Sequence, residues 1–156
     1  DKLYPGRELF GLDISSEMLR SARVKLGDRA QLAKGDACNF EPEELFGQSG
    51  FDCILMSYCV SMIPSWEAAI EQAVDCLSPG GCLHIVDFGD QSKMPDWFDR
   101  RLRNWLARFH VTPRDNLDGI VKNTPGVYAV HEPLLRSYAQ YACLQMPMET
   151  ASTAAE

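Results

Sequence analysis

The chain has no apolar run near the roughly 20 residues that cross a bilayer as a helix, so no membrane span is expected in its 156 residues. It also has no surplus of positive charge: 15 Lys and Arg stand against 22 Asp and Glu, a net charge of -7. A general nucleic-acid binder needs the opposite balance, because each phosphate is met by a cation. The opening residues Asp1 to Gly6 lack the apolar stretch of a secretory signal, and internal repeats and low-complexity linkers are missing as well. The six cysteines, Cys38, Cys53, Cys59, Cys76, Cys82 and Cys143, form no C-x-x-C pair and no Cys/His group at zinc spacing. They read as reduced, buried thiols of a cytoplasmic protein, with no metal site expected.

What remains, at 46% hydrophobic residues, is enough for one core. Short apolar runs alternate with helical segments, the mark of an α/β domain with a parallel sheet. Strands are expected at Leu9 to Ile14, Ala30 to Lys34, Phe51 to Ser57 and Cys82 to Phe88. Ser15 or Ser16 caps a helix to about Lys25 with Met18, Leu19 and Ala22 inward. Further helices are expected from about Trp66 to Leu77, from Asp96 to about Phe109 between Pro95 and Pro113, and around Asn116 to Lys122. Ser78 to Gly81 reads as a turn, with glycines taking left-handed conformations. Two last strands, Val127 to Leu134 and Tyr138 to Met146, would form a hairpin.

In open parallel sheets ligands bind outside the carboxyl ends of the strands. Asp13 ends the first strand just before a helix cap, where a carboxylate suits a ribose hydroxyl pair or, more simply, serves as a helix N-terminal charge. Asp36, in Gly35-Asp36-Ala37, suits an adenine amine or is an ordinary turn residue. Ser57 and Tyr58 lead into the apolar loop Cys59 to Pro64, which would line a substrate pocket with Ser61. Asp87 and Asp90 flank the fourth strand end and would face a cationic group.

The order Gly11-Leu12-Asp13-Ile14-Ser15-Ser16-Glu17-Met18-Leu19, Gly35-Asp36-Ala37, Phe51-Asp52 and Leu77-Ser78-Pro79-Gly80-Gly81 resembles class I S-adenosylmethionine-dependent methyltransferases. The resemblance implies a Rossmann-like sheet with helices on both faces and a C-terminal antiparallel hairpin. It implies S-adenosyl-L-methionine as cofactor, held by Asp13 at the ribose and Asp36 at the adenine, with Ile14, Met18, Ala37 and Ser57 around them. The family's first strand and G-x-G-x-G loop should precede Leu9 by more residues than the chain has. The expectation is therefore an N-terminally truncated methyltransferase domain over 1–148, lacking its middle strand, with a frayed tail at 149–156.

Three segments, Ser57 to Trp66, Leu83 to Gln91 and Trp105 to Arg114, resemble bacterial betaine-lipid N-methyltransferases, which methylate the amine of diacylglyceryl-homoserine; relatives act on phosphatidylethanolamine. That resemblance implies an amine-bearing lipid or small-molecule substrate. The 97–109 helix carries Trp97, Phe98, Leu102, Trp105, Leu106 and Phe109 bordered by four arginines, which suits either peripheral contact with anionic lipid at the inner membrane face or ordinary packing on the sheet. Methyl transfer from a sulfonium needs alignment and desolvation more than acid-base machinery. Tyr58 or His110 would take the amine proton, unless Tyr58 only packs and His110 is a helix C-terminal cation; His84 reads as a satisfied core histidine. The rival readings are a methyltransferase of a small soluble amine or carbon acid, and a non-catalytic remnant.

Overall fold

In the computed structural model the described residues are 6–148; the tail expected at 149–156 lies outside them. Strand β1 (Phe10–Asp13) leads into helix α1 (Ser16–Leu26) and strand β2 (Gln31–Lys34). Ser15 caps α1, its hydroxyl accepting from the Met18 amide at 3.3 Å. Leu19 is the residue α1 buries, whereas Met18, expected inward, is half-exposed. Helix α2 (Pro42–Phe46), which the sequence did not announce, begins with proline at its first turn and ends at Gly47, φ 68°. Strand β3 (Phe51–Ser57), helix α3 (Trp66–Asp75), strand β4 (Leu77–Phe88), helices α4 (Asp96–Ala107) and α5 (Leu117–Asn123), and the hairpin β5 (Tyr128–Leu134) and β6 (Ala139–Gln145) complete the order.

The sheet is in two pieces. β1 pairs with β2 in parallel, and a separate four-stranded sheet has the order β3-β4-β6-β5, parallel between β3 and β4 and antiparallel thereafter. β1 and β3 are therefore both edge strands. The pieces are pinned together at either end. Phe10, Phe46 and Phe51 form an aromatic triad at the strand starts, with centroids 5.3 to 6.0 Å apart. At the strand ends the Cys38 thiol donates to the Ser65 carbonyl at 3.3 Å. Because the first contact joins strand beginnings and the second joins the loops that follow β2 and β3, the three strands β1, β2 and β3 run the same way.

The core lies on one face of the larger sheet. Leu83 and Ile85 of β4 and Ala142 and Leu144 of β6 pack against Ala69, Ile70 and Ala73 of α3 and Leu117 and Val121 of α5. Strand alternation turns Cys53, Leu55, Cys82, His84 and Cys143 to the other face, where Leu55 is 66% exposed.

The expected turn at Ser78 to Gly81 is absorbed into β4. Between the pairs Phe51 with Leu77 and Cys53 with Cys82, one residue of β3, Asp52, opposes four of β4, 78–81. The surplus bulges out, with Gly80 at φ 78°, so the turn chemistry is present inside a strand that resumes in register.

Candidate functional site

The common direction of β1, β2 and β3 brings their carboxyl ends to one side, and the expected cofactor residues collect there. Asp13 pairs in register with Lys34, so Asp36 stands two residues past the neighbouring strand end. The Gly35 amide ties the two ends, donating to the Asp13 carbonyl at 3.3 Å. Each carboxylate holds its own loop by one oxygen: Asp13 Oδ1 accepts from the Ser15 amide at 2.8 Å, and Asp36 Oδ1 from the Cys38 amide at 2.9 Å. These are the local capping and turn roles that sequence reasoning weighed as alternatives. Each of these amide bonds uses Oδ1, and the Asp36 carboxylate also meets the Cys38 thiol; such a structural role does not exclude a binding one.

Ile14 and Met18 stand exposed beside Asp13. Ala37 and Cys38 pack against the main core, which fixes the Asp36 loop. Ser57 ends β3 exposed, on the face it shares with Cys53 and Leu55. Two carboxylates at neighbouring strand ends, with exposed Ile14 and Met18 beside the first, offer acceptors complementary to hydroxyl and amine donors.

Just past β3, Tyr58 takes φ 51° and its amide donates to the Val86 carbonyl at 2.7 Å. Its ring stands edge-on to Phe88 at 5.0 Å and is 40% exposed. The loop then makes a 3-10 turn, Val60–Met62. Ser61, expected to line a substrate pocket, and Asp87, expected to face a cationic group at its mouth, are instead fully buried. Asp87 accepts from the Ser61 amide at 2.9 Å through Oδ2 and from its neighbour Phe88 at 2.7 Å through Oδ1. Its carboxylate is an anchor for the loop, because a buried charge is stable only when its lone pairs are met. Burial, and after it the Asp87 charge, push the Cys59 thiol up to about 11.

Asp90 is exposed and its Oδ1 accepts from the Ser92 amide at 3.0 Å. Partial burial would raise it, but hydrogen bonds from Ser92 and Ser137 and the Arg103 charge outweigh that and hold it below the ordinary carboxylate value. Gly89 between them is obligatory, since a β-carbon there would collide with the Ser137 carbonyl oxygen. His110 is exposed at φ 57° just past α4. It reaches the same rim through the chain: the Thr112 amide donates to the Ser61 carbonyl at 2.8 Å. No described contact joins His110 to Tyr58.

Sequence reasoning missed Arg114. Its guanidinium donates to the Val60 carbonyl at 3.2 Å and the Ile63 carbonyl at 2.7 Å, and stands 5.7 Å from the Trp66 ring centroid. It clamps both ends of the 58–64 loop, and a partner 51 residues away leaves no local signal. The thiols were also misjudged. All six are free, but of them Cys76 alone is buried, and Cys82, His84 and Cys143 lie together despite lacking zinc spacing in sequence.

Helix α4 does not lay its whole apolar stripe on the sheet. Leu106 is buried, while Trp97, Trp105 and Phe109 are each more than half exposed. Trp97, Arg101, also exposed, and Trp105 follow the i, i+4 spacing of one face of α4, and exposed Arg108 and Phe109 come just past its end. Arg103 faces elsewhere, bonded to Asp99 at 2.7 Å and Asp115 at 3.0 Å. No helix among the described residues is long and apolar enough to cross a membrane.

Residues 1–83, more than half of the chain, match the methyltransferase-domain family. The chain belongs to that family. Along 145 residues it is 26% identical to the ubiquinone/menaquinone biosynthesis C-methyltransferase UbiE of Vibrio cholerae serotype O1, a match covering 89% of the chain and 52% of the relative. The chain thus spans about half the length of the curated relatives it matches. Its fold is that of solved methyltransferases. The plantazolicin methyltransferase BamL, in complex with a desmethylPZN analog and SAH, superposes with a TM-score of 0.70 at 15% identity over 93% of the chain and 70% of BamL. The N-methyltransferase NodS from Bradyrhizobium japonicum WM9 superposes with 0.60 at 18% identity over 94% of the chain and 78% of NodS.

Proposed function

We propose that the chain serves S-adenosyl-L-methionine-dependent methyl transfer to an amphiphilic acceptor at a membrane surface. The observation that carries this reading is the placement of Asp13 and Asp36 at adjacent parallel strand ends, each carboxylate fixed through Oδ1 by a backbone amide of its own loop. Asp13 would hold a ribose hydroxyl and Asp36 the adenine amine, with Ile14, Met18, Ala37 and Ser57 around the nucleoside. When bound, the cofactor supplies a methyl group on a sulfonium, electrophilic without further activation.

What the chain must add is alignment and exclusion of water. The 58–64 loop, fixed by Asp87 and Arg114, provides a rigid wall on which the exposed Tyr58 bounds the acceptor site. Tyr58 or His110 takes the proton that an amine acceptor must lose, and Asp90, ionised at neutral pH, attracts its cationic methylated forms. The Trp97, Arg101 and Trp105 face of α4, with Arg108 and Phe109 just past its end, favours an acceptor presented by an anionic bilayer, since aromatic rings settle among headgroups and guanidinium groups pair with phosphates. An amine lipid headgroup, of betaine-lipid or phosphatidylethanolamine type, meets both requirements.

A second reading has its own support: the curated relatives carry the name C-methyltransferase, which favours a lipophilic carbon acid. Incubation with methyl-labelled cofactor and a total lipid extract, followed by fragmentation of the labelled product, separates the two. Label on a headgroup nitrogen is expected. Label on a ring or chain carbon selects the second reading, and label only in water-soluble acceptors defeats the membrane-surface assignment.

A further inference from the structure

A cluster that the proposed function leaves unused lies on the uncovered face of the larger sheet. Cys82, His84 and Cys143 come from two adjacent antiparallel strands, β4 and β6, with His84 directly opposite Cys143. Their sulfur and nitrogen ligand atoms all lie within 4.8 Å of one another, and all three residues are half-buried. We propose that Cys82, His84 and Cys143 form a binding site for a soft divalent metal ion of the zinc class, independent of the methyl-transfer site.

Three arguments converge. The donor set is two sulfurs and one imidazole, the composition that tetrahedral zinc takes and that hard ions such as magnesium or calcium do not. Second, the imidazole is already oriented: its Nδ1 lies 2.8 Å from the Tyr141 hydroxyl, and the two rings stack at 17°. Metal-binding histidines are commonly fixed in this way by a polar partner on one ring nitrogen while the other is offered to the ion. Third, Cys53 on β3 pairs in register with Cys82 and so shares its face, placing a further sulfur donor next to Cys82, outside the group of three. A sheet gives such a site rigidity, because strand pairing fixes the Cβ positions from which the ligands project.

The thiols also state the pH sense of binding. Burial raises Cys143 above the ordinary thiol value, and neighbouring Cys82 and Cys53 add to it; burial and Cys82 do the same for Cys53. Without metal, burial thus favours the protonated thiol over the thiolate at Cys143 and Cys53. Metal binding must expel those protons, so affinity rises with pH.

The test is a cobalt(II) titration of the reduced chain, cobalt standing in for zinc because thiolate ligation gives it visible and near-ultraviolet absorption. One equivalent is expected to produce sulfur-to-cobalt charge transfer and the intense visible bands of a tetrahedral site, bleached by one equivalent of zinc. Cys82→Ser, Cys143→Ser and His84→Ala should each weaken binding by about tenfold or more, given that even outer partners of metal ligands contribute 10–100-fold. Cys38→Ser should bind as the parent does. His84→Cys, which keeps a soft ligand, should recover binding that His84→Ala loses, and circular dichroism of every variant separates ligand loss from misfolding. An absence of charge transfer in the parent chain overturns the proposal. So does an unchanged titration in a folded Cys82→Ser or Cys143→Ser variant.

Discussion

Asp87 shows how one residue type can serve opposite ends. At the end of β4 it reads as a substrate carboxylate, yet both its oxygens are engaged by backbone amides inside the protein. Replacing it with alanine strands two buried donors, a loss of about 2 kcal/mol or more, and should lower the melting temperature while leaving isolated secondary structure intact. Asp90 behaves differently because it is exposed and hydrogen-bonded. Its carboxyl is held below the ordinary value, so the stability it lends is complete above about pH 4 and is lost as pH falls through the depressed folded value. Asp90→Asn should therefore flatten the acid limb of a stability profile below about pH 4, a comparison that urea melts at several pH values can make. Cys59 carries a third prediction. With its thiol pushed up to about 11, it should resist alkylation at pH 8 while exposed Cys53 reacts first, an order that peptide mapping reads directly.

Elements were legible in the sequence wherever periodicity and punctuation agreed. The alternation and caps around β1, α1, β3 and α3 put those elements within a few residues of their observed bounds, because Ser15 caps locally and a strand such as Phe51–Ser57 is a short apolar run. Helix α2 was hidden because five residues show no period, and the β4 bulge because proline and two glycines imitate a chain reversal. Asp13 and Asp36 could be placed at adjacent strand ends beforehand, since strand ends in a parallel sheet are marked by the sequence itself. Arg114 and the Cys82, His84, Cys143 group were not, since register across distant strands has no local trace. Helix α4 was seen as amphipathic, but which part faces the sheet required the fold. Its outer face makes a clear prediction: Trp97→Gln with Trp105→Gln, at exposed positions, should shift stability by less than about 1 kcal/mol yet sharply reduce cosedimentation with anionic vesicles at low salt. Leu106→Ala, at the buried position, should do the reverse and cost about 2–5 kcal/mol.

At the scale of the whole molecule, the divided sheet is the feature that organises everything else. β1 and β3 present edges to one another, joined by an aromatic triad at one end and the Cys38 to Ser65 contact at the other. Ligand residues from β1, β2 and β3 therefore surround a gap and do not lie along a continuous floor. Unpaired strand edges invite pairing with further chain, so a peptide of high strand propensity should add to the β1 or β3 edge, and amide exchange should be slower on those strands when it does. The larger sheet, with its single core face, should exchange most slowly of all. The most direct test of the account is a two-dimensional amide NMR titration with S-adenosylhomocysteine, which detects even weak binding. Shifts concentrated at 13–18, 36–38 and 57–58 are predicted, and shifts confined to other regions, or none at saturating ligand, would contradict the assignment.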